Sequence, residues 1–479
     1  MRHCFSFLAF LLAAAYLLSC SDNESFSASR NNLLTFSEDT CRMDTVWGGI
    51  GSSTHTFWVY NRSGNGIRIS SVRLLNGNQT GFRANVDGIE LNAVAGYQTS
   101  DLEVRRGDSL RVFIEITATA NKLSLYKSIE EKLIFQLESG VRQEVVLTAT
   151  SADAYHVHDL HVASDSAITA DKPLIVFGGL TVDSTATLTL QAGAQLFFHD
   201  KAGMDVYGTL KVEGTAEHPV VLRGDRLDRM FDYLPYDAVS GQWRGLRFHP
   251  SSYNNVISFA DIHAACDGIV CDSSAMEQKK LTVRNTILHN HKGYGLLTYQ
   301  AAVELENCQI TNALYDCACF YGGQVDIRYC TFAQFYPFDA NRGVAFRFSN
   351  AYEGKPYPLL RMSVQNSIIT GYGSDELMGH GDSICIFSYA FADCLLRTPP
   401  VSDSLMVSVL FEQKDSVANG EANFVKVNLS MQSYDFHLDS ASRARDAAMP
   451  LPVVDIDLRG RLRGEKPDMG CYEYVAPTE

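Results

Sequence analysis

The sequence predicts an all-β protein in two parts, a β-sandwich followed by a solenoid of stacked β-coils. Short alternating apolar runs separated by Gly, Asn and Asp turns fill residues 33–150, and this spacing of short strands is typical of a sandwich. Further along, a seven-residue line repeats at a 22-residue spacing, at 281–287, 303–309 and 325–331. A fixed period of this size indicates stacked coils.

Residues 1–19 form a predicted signal peptide. A short basic start precedes an apolar run from Phe5 to Leu18 that is too short to span a bilayer. The run ends in Leu-Leu-Ser before Cys20, which resembles the lipobox of bacterial lipoproteins, and the acidic residues 21–24 resemble the surface-export signal of Bacteroidetes lipoproteins. The resemblance implies lipidation of Cys20 and an outer-membrane lipid anchor, with the protein facing the cell exterior. The alternative is an ordinary cleaved signal peptide with Cys20 unmodified.

Two segments follow the anchor. Residues 20–32 are polar and rich in Ser and Asn, which is typical of a flexible tether. The sandwich is predicted over 33–150 from alternating strands such as 55–60 and 109–116. It resembles the immunoglobulin-like domains that precede repeat domains in bacterial surface proteins. The Cys…Trp…Cys pattern of antibody domains is absent, because Cys41 is the one cysteine of this segment.

The coils are predicted over 151–430. Each line is a short alternating run of Val, Ile and Leu, too short and too β-branched for a helix. Val283, Leu305 and Ile327 fall in register, so stacking gives a continuous inner column of aliphatic side chains. Several stacked coils of about 22 residues each account for the length of this segment.

The repeated line has a polar column as well. Asn285 and Asn307 stand one coil apart, at roughly 4.8 Å, where their amides are expected to hydrogen-bond along the stack. The same line recurs at 256–262 and 362–368, with inserted loops between. These lines resemble the right-handed parallel β-helix proteins of the pectate-lyase-like superfamily, and the resemblance implies that fold.

Residues 431–479 resemble the closing motif at the carboxy terminus of bacterial surface β-helix proteins. An Asp, Gly and Arg cluster is followed by Asp468, Gly470, Tyr472 and Glu473. The resemblance implies closure of the end of the rod, where exposed strand edges need a cover, with the acidic and arginine groups paired.

Charge and cysteine spacing exclude several kinds of partner. The chain carries a net charge of −15 without a basic stripe, which argues against a nucleic-acid partner. The cysteines lack the spacing of a metal site or of a disulfide framework. The sequence therefore predicts no metal and no cofactor.

Catalytic residues are not identifiable from motifs. The segment 379–381 resembles the Gly-His-Gly of polygalacturonases, but the other motifs of that family, and its paired carboxylates, are absent. His289 and His291, or Asp267 and Asp316, can flank a groove on the rod. The alternative is that these four are solvated turn residues.

Aromatic rings in the loops that break the period are the predicted ligand-binding residues, because loops on a rigid scaffold often carry binding sites and rings stack on sugars. They are Tyr233, Tyr236, Trp243, Tyr336 and Tyr352. The predicted function is non-catalytic recognition of a polysaccharide or cell-surface ligand. The alternatives are a polysaccharide lyase or glycoside hydrolase, and a structural stalk whose rings pack on the rod.

Overall fold

A computed structural model describes residues 25–120, 125–412 and 418–476 of the 479-residue chain. The chain divides into two compact units, Met1–Asp153 and Ala154–Glu479. The signal peptide and Cys20 lie outside the described residues, so their prediction stays open. In the middle of the segment predicted as a tether, residues 20–32, Phe26 forms a parallel bridge with Gly66 of the first unit.

The first unit is a β-sandwich with ten strands in its described residues. They are β1 Leu34–Phe36, β2 Thr40–Trp47, β3 His55–Asn61, β4 Ile67–Leu74, β5 Phe82–Val86, β6 Ile89–Glu90, β7 Gln98–Val104, β8 Ser109–Ile116, β9 Tyr126–Leu137 and β10 Arg142–Ala152. One sheet has the order β1-β3-β8-β5-β6 and the other β2-β10-β9-β4-β7. Alternate residues of each strand face the space between the sheets. In β8, for example, Leu110, Val112 and Ile114 are buried and Arg111 is exposed.

The second unit is a parallel β-helix in which each coil adds strands to three ladders. The first ladder contains Gln195–Phe198, Val220–Gly224, Ala260–His263, Ile287–His291, Gln309–Ala313, Thr331–Gln334, Ile368–Gly371, Leu395–Leu396 and Leu410–Phe411. The second ladder contains Met204–Val206, Leu246–Phe248, Ile269–Cys271, Leu296–Tyr299, Ala318–Tyr321, Phe346–Ser349 and Leu377–His380. The third ladder contains Ser166–Ile168, Thr187–Gln191, Thr209–Glu213, Asn255–Ser258, Leu281–Arg284, Ala302–Glu306, Gly323–Arg328, Leu359–Gln365, Phe387–Ala392 and Met406–Val407.

The remaining elements are long opening strands, hairpins and short helices. Tyr155–Val162 and Leu174–Val182 each continue from the first ladder into the second. The hairpins are Arg229–Phe231 with Leu234–Pro235, Ala351–Tyr352 with Lys355–Pro356, and Phe424–Asn428 with Ser433–Leu438. The 3-10 helices are Tyr236–Ala238 and Ala418–Asn423. No helix in the described part of the chain has the length and apolar character needed to cross a bilayer.

The predicted fold class is confirmed, and the 22-residue register with it. Val283 pairs with Leu305, and Leu305 pairs with Ile327. All three are fully buried in one continuous core. The alignment of 256–262 is wrong by one residue, because Asn255, not Val256, pairs with Leu281.

The polar column marks the corner between the third and first ladders. Asn285 and Asn307 adopt φ of 47° and 51°, a left-handed conformation that Asn tolerates better than most residues. Their side-chain amides do not bond to each other. Each donates instead to a backbone carbonyl of the carboxy-terminal tail, Asp457 and Ile456, at 2.8 Å. The expected hydrogen bonds along the stack are therefore wrong, because the tail supplies better-placed acceptors.

The tail, residues 424–476, packs along this corner on the flank of several coils. Asn366, the next asparagine of the column, donates to the Met449 carbonyl at 2.7 Å. The Tyr329 hydroxyl donates to the same carbonyl at 2.8 Å. Arg463, 3% exposed at its side chain, pairs with Glu473 at 2.5 Å. The tail thus covers a side of the rod through its contacts with successive coils.

Candidate functional site

A first cleft, the tyrosine cleft, lies on the outer face of the second ladder and has a volume of 540 Å³. It is lined by Tyr321, Arg347, Ser349, Ala351, Tyr352, Glu353, Gly354, Met378, Gly379, His380 and Asp382. Its size lies within the roughly 300–1,000 Å³ that is usual for small-ligand sites.

Strand alternation places these side chains outside the rod. Phe320 is buried in the coil core, whereas its neighbours Cys319 and Tyr321 form a separate cluster on the outer face, because successive side chains point to opposite sides of a strand. One coil on, Ser349 pairs with Tyr321. The next coil brings His380 beside Ser349. The wall of the cleft is therefore a file of outward residues from successive coils.

Tyrosine rings form the apolar part of this wall. Tyr321 lines the cleft, and its ring stacks on the neighbouring Tyr299 ring with centroids 5.5 Å apart. Tyr352, on a hairpin of its own, reaches over to lie 4.4 Å from Tyr321. Burial raises the pKa of Tyr299 and of Tyr321, so both hydroxyls stay neutral and can donate hydrogen bonds at any physiological pH.

An arginine fixed by a buried carboxylate supplies the polar part. Arg347 donates from Nε and Nη2 to the two oxygens of Asp316, at 2.7 and 3.1 Å. Asp316 is 3% exposed, and this forked pairing holds the guanidinium plane in place. The hydrogen bonds to Asp316 raise the pKa of Arg347 against the effect of burial. The pair presents a rigid donor with little net charge.

A second cleft, the histidine cleft, lies on the outer face of the first ladder beneath the tail, with a volume of 450 Å³. It is lined by Ala238, Asp261, Ile287, His289, Asn290, Gln309, Thr311, Asn312, Gln432, Tyr434, Asp435, Phe436, His437, Arg459 and Tyr472. The tail hairpin Phe424–Asn428 with Ser433–Leu438 provides the opposite wall.

A carboxylate and two imidazoles meet on the rod side of this cleft. Asp261 Oδ1 lies 2.8 Å from His263 Nδ1 and 3.2 Å from His289 Nε2. Burial opposes the charge of Asp261, but the two imidazoles outweigh it and hold the pKa of this carboxyl well below its usual value. Burial lowers the pKa of His263. Near neutral pH the cluster is thus a carboxylate that accepts from His263.

The tail contributes a second carboxylate–imidazole pair. His437 Nδ1 lies 2.6 Å from Asp435 Oδ1, and the His437 ring stacks on Tyr472 at 4.1 Å. Tyr472 itself donates to Gln309 on the first ladder at 2.8 Å. These contacts tie the two walls of the histidine cleft together.

Of the five rings predicted to bind ligand, Tyr352 is the one that lines either of these clefts. Trp243 is fully buried; its indole stacks on Phe198 at 4.4 Å and donates to the His263 carbonyl at 2.8 Å. Tyr336 is 3% exposed, with its hydroxyl 2.7 Å from Ser240 Oγ. The predicted binding role of Trp243 and Tyr336 is wrong, because neither ring has a free face.

The other two predicted rings lie in the loop that precedes Trp243. Tyr233 is exposed and stacks on Phe231 at 5.8 Å. The Tyr236 ring is covered by the Arg226 guanidinium at 3.4 Å. Tyr233 therefore keeps a free surface, while Tyr236 is engaged within its own loop.

The candidate catalytic groups are not brought together as pairs. His289 lines the histidine cleft, whereas His291 is fully buried, since the left-handed Asn290 between them breaks the strand alternation. Asp316 is held by Arg347, and Asp267 accepts from the Tyr294 backbone N–H at 2.8 Å. Asp261 and His263 were not identified from the sequence. Aligning Asn255 with Leu281 would have identified them, because this register pairs His263 with His289 in the next coil.

Comparisons with known proteins place the chain in no family. No family model matches it, and no curated protein matches it. The catalytic domain of a GH87 alpha-1,3-glucanase in complex with nigerose has a TM-score of 0.20 and 8% identity, over 80% of this chain and 93% of that one. The PapD-like domain 7 of human CEP192 has a TM-score of 0.18 and 9% identity, over 28% of this chain and 94% of that one.

A family 123 glycoside hydrolase from Clostridium perfringens has a TM-score of 0.18 and 9% identity, over 27% of this chain and 26% of that one. Likenesses of this strength give no information about activity.

Proposed function

We propose that the protein is an outer-membrane lipoprotein, facing the cell exterior, that binds an extracellular polysaccharide or cell-surface glycan in the tyrosine cleft without cleaving it. The observation that supports this most is the pair of rings that line the cleft, Tyr321 and Tyr352, which pack on each other and on Tyr299 beside the paired Arg347.

The chemistry of this cleft matches that of a pyranose. A sugar ring has an apolar face that stacks on an aromatic ring and a rim of hydroxyls that need donors and acceptors. The tyrosines offer both a ring and a neutral hydroxyl, and Glu353 and His380 add polar groups at the rim. The charge of Arg347 is balanced by Asp316, and the chain is acidic overall. These charges favour a neutral glycan over a polyanionic one.

Binding should depend on the Tyr352 ring. We expect Tyr352→Ala to weaken the affinity for the bound glycan at least tenfold, about 1.4 kcal/mol, and Tyr352→Phe to retain most of it because stacking needs the ring. The ligand is first found by probing a panel of plant and host polysaccharides with the labelled protein. Titration calorimetry then measures the affinity of each variant.

Tyr233→Ala is the matched control, since Tyr233 is an exposed ring on a different loop. Loss of binding in Tyr233→Ala but not in Tyr352→Ala would move the site to the loop before Trp243. An absence of binding to every glycan in the panel would favour a structural stalk.

Cleavage of a polysaccharide is the alternative, and the histidine cleft is where its acid and base would lie. Asp261 and Asp435 line opposite walls of that cleft, and glycoside hydrolysis needs two carboxyl groups across the scissile bond. Incubation of the full chain with the same panel should leave chain lengths unchanged. Shorter products, or unsaturated products typical of a lyase, would overturn the non-catalytic proposal.

The anchor has its own test, because it rests on the resemblance around Cys20. Expressed in a bacterial host, the protein should partition into the detergent phase and incorporate labelled fatty acid. Cys20→Ser should abolish both. Labelling that persists in Cys20→Ser would contradict lipidation at this residue without affecting the glycan proposal.

A further inference from the structure

Three metal-ligating atoms converge on the first ladder. Asp261, His263 and His289 each offer one atom, and these atoms all lie within 4.8 Å of one another. The correct register explains the convergence. Asp261 and His263 face outward on one strand, and His289 pairs with His263 in the next coil. The strand ladder therefore fixes the relative positions of all three residues.

The spacing of the donor atoms suits a small divalent cation. Ligands at ~2.0–2.1 Å from a tetrahedral zinc ion lie roughly 3.3 Å apart. The Asp261 oxygen lies 2.8 Å from His263 Nδ1 and 3.2 Å from His289 Nε2. The two imidazole rings stack at 4.7 Å with 24° between their planes, so both rings rotate on metal binding to aim their nitrogens at one point beside the carboxylate.

The donor set is typical of a metal site that keeps an open position. Two imidazoles and one carboxylate bind first-row divalent ions and leave part of the coordination sphere for water or a ligand. Asp261 and His289 line the histidine cleft, so the remaining position faces an open space. Gln309 and Thr311 line the same cleft and can hydrogen-bond to a water on the metal.

We propose that Asp261, His263 and His289 bind one divalent transition-metal ion, with zinc as the reference case, at the rod wall of the histidine cleft. An ionised carboxylate can only accept hydrogen bonds, so the His263 Nδ1 in contact with Asp261 carries a proton in the metal-free protein. A metal at Nδ1 needs the other neutral tautomer, so this proton moves to Nε2 as the metal takes its place between the nitrogen and the carboxylate.

A second set of donors, Glu38, Cys41 and His55, lies in the sandwich and is the natural competitor. Burial raises the pKa of the Cys41 thiol to about 12, and a thiol binds metal as the thiolate. This set is therefore the poorer site, and it differs by having a sulfur ligand.

Metal binding is tested on the full chain with zinc and with cobalt. Equilibrium dialysis followed by elemental analysis should give one zinc per chain. His289→Ala and Asp261→Asn should each weaken the affinity at least tenfold. Cobalt should give weak visible bands without the thiolate charge-transfer band that a cysteine ligand produces. Tryptophan fluorescence and circular dichroism confirm that each variant is folded.

The controls are His199→Ala and His55→Ala. His199 pairs with a single carboxylate, Asp225, at 2.7 Å, so its loss should leave zinc binding unchanged. Absence of stoichiometric binding overturns the proposal. So does a thiolate band that disappears in His55→Ala, or zinc binding that survives in His289→Ala. Glycan binding at the tyrosine cleft is measured separately, so the two proposals fail or stand independently.

Discussion

The two clefts lie on neighbouring sets of coils that share only the coil of residues 302–321, and their side chains differ in chemistry. The histidine cleft has carboxylates and imidazoles on the first ladder and is walled by the tail. The tyrosine cleft has stacked rings on the second ladder and is walled by a small hairpin within the coil itself. Behind both, the inward residues belong to a single aliphatic and aromatic core. The β-helix thus supplies positions, and the outward residues supply the chemistry.

The two clefts differ mainly because the tail covers the outer face of the first ladder at the histidine cleft but does not line the tyrosine cleft on the second ladder. The tail is held by the corner column of asparagines and by Arg463, and it brings Asp435 and His437 to the first ladder. At the tyrosine cleft, by contrast, the tyrosine rings pack with Leu297, Cys319 and the hairpin that carries Tyr352. The histidine cleft should therefore depend on tail docking and the tyrosine cleft should not.

Removal of Arg463 should produce the largest difference in stability between the histidine cleft and the tyrosine cleft. Its guanidinium bonds to Glu473, to the Asn307 side chain at 2.8 Å and to the Gly470 carbonyl at 3.0 Å. Arg463→Ala leaves Glu473, whose pKa burial already raises, without this partner. We expect the free energy of unfolding of the second unit to fall by about 3–5 kcal/mol.

Denaturant unfolding measures this loss through Trp243, the one tryptophan of the second unit, with Trp47 and Trp58 replaced by Phe. Arg361→Ala is the matched control, because the Arg361–Asp326 pair is 59% exposed at the arginine; we expect ~1 kcal/mol or less. Hydrogen exchange should increase more around Ile287–His291 than around Phe346–Ser349. Equal increases at both would contradict independent clefts.

The sequence was sufficient for the architecture and for part of the register. Period and alternation identified the inward column of Val283, Leu305 and Ile327, because the core imposes the same chemistry on every coil. Where an inserted loop interrupts the period, alignment slipped by one residue at Asn255. A slip of one residue changes the pairing of every side chain on that strand, and it hid the contact between His263 and His289.

The remaining errors come from contacts between distant segments. Trp243 stands in a loop rich in exposed rings, yet it faces inward to stack on Phe198; composition does not distinguish the two orientations. The walls of the histidine cleft come from the first ladder and from the tail, which meet only when the tail docks. The asparagine column was visible in the sequence, but its acceptors lie far along the chain.

A smaller effect concerns the pH dependence of stability. Acid should destabilise the first ladder, which carries His291, more than the second ladder. Burial lowers the pKa of His291 well below its usual value, and the nearby His289 and His263 add to this, with Asp261 opposing. Neither His291 ring nitrogen has a hydrogen-bond partner in the described residues. In the unfolded chain His291 takes up a proton near pH ~6.5, whereas the folded chain resists it. Stability should therefore fall as the pH drops below this value.

His291→Leu removes that group and fills a similar apolar space. We expect the variant to match the wild type near neutral pH and to lose less stability below pH ~6, with His218→Leu, an exposed histidine, behaving as the wild type does. Unfolding by denaturant across this range gives the comparison, and hydrogen exchange locates it. The first-ladder strand Ile287–His291 should open first in the acidified wild type, since its protonation is local. If Phe346–Ser349 opens equally early, the coils unfold as one unit and the two clefts share their stability.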